Sequence, residues 1–388
     1  MDHLLSTRYR QQTTSVIRDL LEHAHRPGMI SLAGGLPDPD RFPREKMASL
    51  AAQCILNRNA DALQYGLTAG DPRLREAIVA TTPAAANINN VLVTTGSQQA
   101  LHLLSEVLLD PGDTVVVSDP DYLGALQAFR GSGAALAPVD IDAEGLVVDQ
   151  LGEQLLAGMR PKFVYVVPHF HNPTGATLST HRRGELLALA SHYDFLVVFD
   201  DPYRDLAVDE PAPEPASHPH VVHLRSVSKI LAPGLRVGWI IGPRWLLRSV
   251  ERAKQSADLH TSSLSQAIAH GAVTAPWFPA HVAEISAATA TKRDTLANAL
   301  INTFGDRLAF NRPGGGMFVW AEFTDGTDTS ALLEPALDHG VAFVPGHPFA
   351  VERELTRHLR LSWATASPTG LEEAVGRLAA AHATQSDA

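Results

Sequence analysis

VVHLRSVSKILAPGLRVGW, residues 221–239, carries both a fold signal and a chemical one. The apolar run VVHLRSVS (221–228) reads as a strand and ends on Ser226, Ser228 and Lys229. Arg236 stands seven residues further on, at the start of a second run, VGWIIGP (237–243). A lysine closing a buried strand stands out in a chain with only four others, Lys46, Lys162, Lys254 and Lys292. The same layout recurs upstream. NVLVTTG (90–96) precedes a helical pattern at 97–109, TVVVSDP (114–120) precedes another at 122–133, and FVYVVPHF (163–170) and FLVVFDDP (195–202) flank the helical RRGELLALASHY. Apolar strands alternating with helices predict an α/β fold, a mostly parallel sheet sandwiched by helices.

Further along, PAHVAEISAATATKRDTLANALI (279–301) reads as one long helix, and RPGGGMFVWAEF (312–323) opens a shorter α+β stretch. The expected division is an N-terminal arm at 1–45 that joins the small domain, a large domain at 46–285 and a small C-terminal domain at 286–388. No internal repeat occurs, and DEPAPEPASHPH (209–220) reads as a proline-rich surface loop.

Composition narrows the function classes. The 388 residues are 45% hydrophobic and 19% charged, which excludes a disordered chain. Acidic residues outnumber basic ones, 42 to 31, for a net charge of −11, and no basic run offers a nucleic-acid face. Apolar stretches fall well short of the ~20 residues of a membrane span. The first residues, MDHLLSTRYRQQ, lack the apolar core of a signal peptide. A single cysteine, Cys54, fits a reducing cytoplasmic compartment.

In open sheets of this kind the ligand site lies beyond the carboxyl ends of the strands. Those positions hold Gly96, Ser97 and Gln98; Asp119 and Tyr122; Asn172; Asp200, Asp201 and Tyr203; then Ser226, Ser228, Lys229 and Arg236. A helix opened by Gly96-Ser97 offers backbone N–H groups to an anion, and Ser226, Ser228 and Arg236 would add charge-assisted bonds. A lysine ending a buried strand can stay partly deprotonated and form an imine. An aspartate one strand away would keep a pyridine nitrogen protonated and make the ring an electron sink. Asn172 and Tyr203 would bond a phenolic oxygen and Tyr122 would stack on the ring. These fittings suit pyridoxal phosphate.

At this point the chain resembles the fold-type I class I/II aminotransferases. Within them it is most similar to the branch holding 2-aminoadipate and kynurenine aminotransferases and the effector domains of MocR-type regulators. The motifs that carry the likeness are SLAGGLPDPDRFP (31–43), LQYGLTAGDPRLREAI (63–78), TTGSQQAL (94–101), HNPTG (171–175), DDPY (200–203), SVSKILAPGLRVGW (226–239) and LRLSWA (359–364). The resemblance implies an aspartate-aminotransferase-like fold. It makes Lys229 the Schiff-base lysine and proton shuttle, and Asp200, not Asp201, the partner of the ring nitrogen, from the spacing to Tyr203. Gly96, Ser97, Gln98, Ser226, Ser228 and Arg236 would surround the phosphate. Tyr65 would reach it from the partner subunit of a homodimer with shared sites. Arg360 would clamp the substrate carboxylate, with Asn172 and the Gly35 backbone N–H beside it. The implied reaction is ping-pong transfer of an amino group from an L-amino acid to a 2-oxo acid.

Rival readings remain. The same lysine and aspartate serve β-elimination, decarboxylation and cyclisation. A ligand-sensing regulator domain would need a DNA-binding module, for which the roughly 30 residues before SLAGGLP leave little room. Ser226-x-x-Lys229 also matches the S-x-x-K of penicillin-recognising hydrolases, but S-D-N and K-T-G are absent. His169 and His171 depart from the family pattern and read as substrate contacts or as polar loop residues. His218, His220 and His223 straddle a loop and a strand, which suits structural roles better than a metal. Arg8, Arg10 and Arg18 read better as solvated helix charges than as groups favouring an acidic substrate side chain, and Asp38 and Asp40 would favour a basic one.

Overall fold

The computed structural model describes residues 2–6, 26–56, 60–208 and 217–386. The arm arginines Arg8, Arg10 and Arg18 and most of the proline-rich loop lie outside them. A short strand, β1 (Ile30–Ser31), comes first. The large sheet follows: β2 (Val91–Thr94), β3 (Thr114–Asp119), β4 (Ala135–Asp142), β5 (Gly145–Leu146), β6 (Phe163–Val166), β7 (Leu196–Asp200), β8 (Val221–Ser226) and β9 (Gly238–Ile241), in spatial order β2-β9-β8-β7-β6-β3-β4-β5. From β8 through β4 the pairs are parallel. By contrast, β9 runs antiparallel to both β8 and β2, and β5 folds back on β4. The sheet is thus mostly parallel, as expected, with antiparallel pairs at its two ends. β6 to β8 are apolar because helices cover both faces, which leaves their carboxyl ends as the place where polar side chains gather.

A second sheet, β10 (Leu308–Phe310), β11 (Phe318–Phe323), β13 (Val344–Pro345) and β14 (His358–Ser362), has the order β10-β11-β14-β13, while β12 (Val341–Ala342) pairs with β1. It has its own core, with Leu300, Phe304, Val319, Phe323, Trp363 and, from the N-terminal segment, Leu32. The helix Phe278–Phe304 belongs to both halves: Phe278, Val282 and Ile285 pack on the large core, Leu296 and Leu300 in the small one. The expected division at 285/286 falls within this continuous helix. Across the seam, the Asp119 carboxylate at the end of β3 accepts the backbone N–H groups of Val351, Glu352 and Arg353, each at 2.9 Å.

Candidate active site

The ends of β2, β3, β7 and β8 converge where the two halves meet. Lys229, three residues past β8, is half-buried, and its Nζ donates to the carbonyl of Gly35 at 2.7 Å. Burial, with the Arg360 and Arg236 charges adding to it, pushes its pKa down to about 8. Gly35 thus meets the lysine through its C=O.

Beside the lysine lies a cup for an anion. The helix Ser97–Leu108 starts at Gly96 with no side chain capping it, so its first N–H groups stay available. Gly96 has φ +78°, and a Cβ there would meet Arg236 Nη2 at 2.5 Å, so only glycine lets the guanidinium lie against the turn. Arg236, itself at φ +54°, donates to the Thr95 carbonyl at 3.2 Å. Ser226 Oγ accepts the N–H of Ser228 at 3.2 Å. Gln98 donates to the Gly124 carbonyl at 2.8 Å and accepts the Tyr122 hydroxyl at 3.3 Å, which ties the cup to the ring-stacking candidate.

Asp200 ends β7 and is buried. Its Oδ2 accepts the Tyr165 hydroxyl at 2.9 Å, while Oδ1 is buried with no hydrogen-bond partner. Burial above all, with Asp201 and Asp121 adding repulsion, pushes its pKa up to about 7. Asp201 differs: both oxygens face His169 Nδ1, at 2.9 and 3.0 Å, and its carboxyl is held below the usual range because that bond and charge outweigh burial. Arg183 donates to His169 Nε2 at 3.2 Å, which leaves Nδ1 to donate to Asp201.

Arg360, on β14, reaches across from the small sheet. Its Nη1 donates to Asn172 Oδ1 at 2.7 Å and its Nη2 to the Ala33 carbonyl at 2.6 Å, while Nε is buried and unpartnered. The rings of Phe318 and Phe349 lie 4.2 and 5.0 Å from the guanidinium carbon. Burial among these groups pushes its pKa down to about 10. Asn172 lies beside the Tyr203 hydroxyl, and Lys229 Nζ lies 6.0 Å from the Tyr203 ring centre. One cluster therefore joins Gly35, Asn172, Tyr203, Lys229 and Arg360.

The family model for aminotransferase class I and II matches residues 27–378. The chain belongs to the class I and II aminotransferases. It is 39% identical to the aromatic-amino-acid aminotransferase 1 of Thermococcus litoralis, over 94% of this chain and 90% of that one. It is equally 39% identical to the 2-aminoadipate transaminase of Thermus thermophilus, over 94% and 92%. The crystal structure of LysN, the alpha-aminoadipate aminotransferase of Thermus thermophilus complexed with N-(5'-phosphopyridoxyl)-L-leucine, superposes with a TM-score of 0.93 at 36% identity, covering 100% of this chain and 99% of that one. The fold is accordingly fold type I, and the aminotransferase uses pyridoxal phosphate. The residues fit that group: the unpartnered Asp200 Oδ1 is a ready acceptor for a ring N–H, and the Gly96 turn with Arg236 suits a phosphate.

Of the expected positions in this aminotransferase, Tyr65 alone stands apart. It is 79% exposed, with its ring edge-on to His260 at 5.8 Å. His169 and His171 are buried behind the site; His171 Nδ1 accepts the Thr174 N–H and Nε2 faces Asp121 at 3.2 Å. They brace the aspartates. Asp38 is already paired with Lys292 at 2.7 Å, which removes the reason to expect a basic substrate side chain from it. Sequence reading missed Tyr165, a single hydroxyl in an apolar strand. It also missed the brace behind the cup, where buried Lys254 donates to Gln99 and Asp258, each at 2.8 Å, and Gln99 accepts the Thr95 N–H at 2.7 Å.

Proposed function

We propose that this aminotransferase moves the amino group of an L-amino acid to a 2-oxo acid in two half-reactions, with Lys229 as the amine that holds the cofactor and then shuttles the proton. The supporting observation is Lys229 itself, an amine at a strand end with its pKa pushed down to about 8. Near neutral pH a useful fraction is unprotonated and able to attack a carbonyl or accept the substrate's α-proton. When bound, pyridoxal phosphate supplies the electron sink for the charge left by that proton.

The chain does the rest. Asp200 Oδ1 accepts the ring N–H, and Asn172 and Tyr203 hold the ring hydroxyl. Tyr122 covers one face of the ring. Gly96, Ser97, Gln98, Ser226, Ser228 and Arg236 enclose the phosphate. Arg360, already preoriented by Asn172 and Ala33, receives the substrate α-carboxylate bidentately, a task for which a lysine is poorly shaped. Gly35 lines the same subsite. The partner subunit's Tyr65 completes the phosphate site in a homodimer, and the single cysteine favours a cytoplasmic setting.

Borohydride reduction of the holoenzyme, followed by peptide mass mapping, tests the lysine assignment. The cofactor mass is expected on the peptide holding Lys229; its recovery on Lys254 or Lys292, or on none, contradicts the proposal.

A further inference from the structure

Tyr165 is fully buried in the middle of β6, where it faces Val198 of β7 in register. Side chains two apart on a strand share a face, so Tyr165 lies diagonal to Asp200, and its hydroxyl reaches Asp200 Oδ2 at 2.9 Å. Its ring packs edge-on against Phe129 at 5.4 Å. A phenylalanine would fill that space equally well. Burying the hydroxyl costs free energy unless it is bonded, and the bond it makes is to Asp200.

We propose that Tyr165 is a positioning residue for Asp200, occupying Oδ2 so that Oδ1 is turned to the ring nitrogen of the cofactor and stays ionised against it. The inference rests on the pairing of Asp200 with that nitrogen.

Three carboxylates crowd this region, and they are held differently. Asp121 accepts the N–H and hydroxyl of Ser118, each at 2.8 Å, and the Tyr122 N–H at 2.6 Å, and it faces His171. Asp201 is held by His169. Among the described residues Asp200 receives Tyr165 alone, and its other oxygen is bare. Two neighbouring carboxylates and burial all favour a proton on Asp200, whereas the tyrosine hydroxyl favours the charged form. The phenol is itself pushed well above its usual range by burial and by the Asp200 and Asp121 charges, so it remains a donor wherever the enzyme works. Without it, the proton shared between ring and carboxylate moves toward Asp200, and the carboxylate is free to rotate.

The test uses holoenzyme loaded with ring-15N pyridoxal phosphate, its nitrogen signal read at neutral pH beside thermal unfolding. In the wild type the signal is expected at the protonated position. In Tyr165→Phe the ratio of protonated to unprotonated nitrogen is expected to fall by about tenfold, the loss of one bond to a charged group. Tyr165→Met, which also lacks the donor but packs differently, gives the same shift and guards against a folding defect in either variant. A lower melting temperature with an unmoved nitrogen signal in both variants overturns the proposal and leaves Tyr165 a packing residue. An unprotonated nitrogen in the wild type overturns the Asp200 pairing, and this proposal with it.

Discussion

Asp200 and Asp201 are neighbours in the chain and opposites in circumstance. Asp201 has a histidine on both oxygens, whereas Asp200 has one hydroxyl and one bare oxygen, and its pKa rises to about 7. Between about pH 4 and 7 the folded, cofactor-free chain therefore keeps a proton that the unfolded chain has released, and stability falls as pH rises through that window. A shift of about three units corresponds to a cost of about 4 kcal/mol above pH 7. Asp200→Asn, which mimics the protonated form, is expected to match the wild type near pH 4 and to exceed it by up to about 4 kcal/mol at pH 8. Urea unfolding of both cofactor-free proteins at the two pH values measures this, and equal stability at both contradicts the burial argument. Lys229→Ala is expected to lower the rate by at least about a thousandfold, since it removes the proton carrier, while leaving the fold intact. A steady-state assay paired with circular dichroism reads both. At this scale the sequence was informative: position after a strand picked out Lys229, Asp200 and Asn172 without coordinates. Tyr165 escaped because a lone tyrosine inside FVYVV reads as packing, and only the register with β7 reveals its acceptor.

At the scale of elements, the cup depends on a turn rather than on a side chain. Gly96→Ala forces a Cβ to within 2.5 Å of Arg236 at φ +78° and should displace the guanidinium. Weakening of cofactor binding by about tenfold or more is expected, the loss of about one charge-assisted bond, measurable by fluorescence titration of the cofactor-free protein. Unchanged affinity would mean that Arg236 does not hold the phosphate. The strands β6 to β8 were legible because burial on both faces gives valine-rich, mostly apolar runs. β4 was not, since Ala135–Asp142 is mostly solvent-accessible and carries Pro138. Strand direction was not legible either: periodicity says which face a residue takes, not which way its strand runs, so the reversal of β9 came only from pairing.

For the whole molecule, the site straddles a seam. Lys229 and Asp200 come from the large sheet, Arg360 from the small one, and Gly35 from the segment that follows β1. Asp119, holding three N–H groups across that seam, ties the two halves together. Asp119→Ala is expected to cost about 2–4 kcal/mol by stranding them, seen as a lowered urea midpoint. The exposed Leu63, Tyr65, Leu67 and Leu259, gathered round the His260 contact, form an apolar patch suited to a second copy of the chain. Sedimentation should show a dimer, and Tyr65→Phe should stay dimeric while binding the cofactor several-fold more weakly. The long helix pattern and the glycine-rich turn made the two-part architecture readable, whereas the place of Tyr65 came only through the family resemblance, because a single chain leaves that ring exposed.

The most direct test of amino-group transfer is the visible spectrum of the purified holoenzyme as single amino acids are added without any oxo acid. One donor is expected to convert the cofactor's band stoichiometrically to the pyridoxamine phosphate spectrum, and 2-oxoglutarate then to restore it. A band that persists with every amino acid, or product that accumulates catalytically with no oxo acid present, contradicts it.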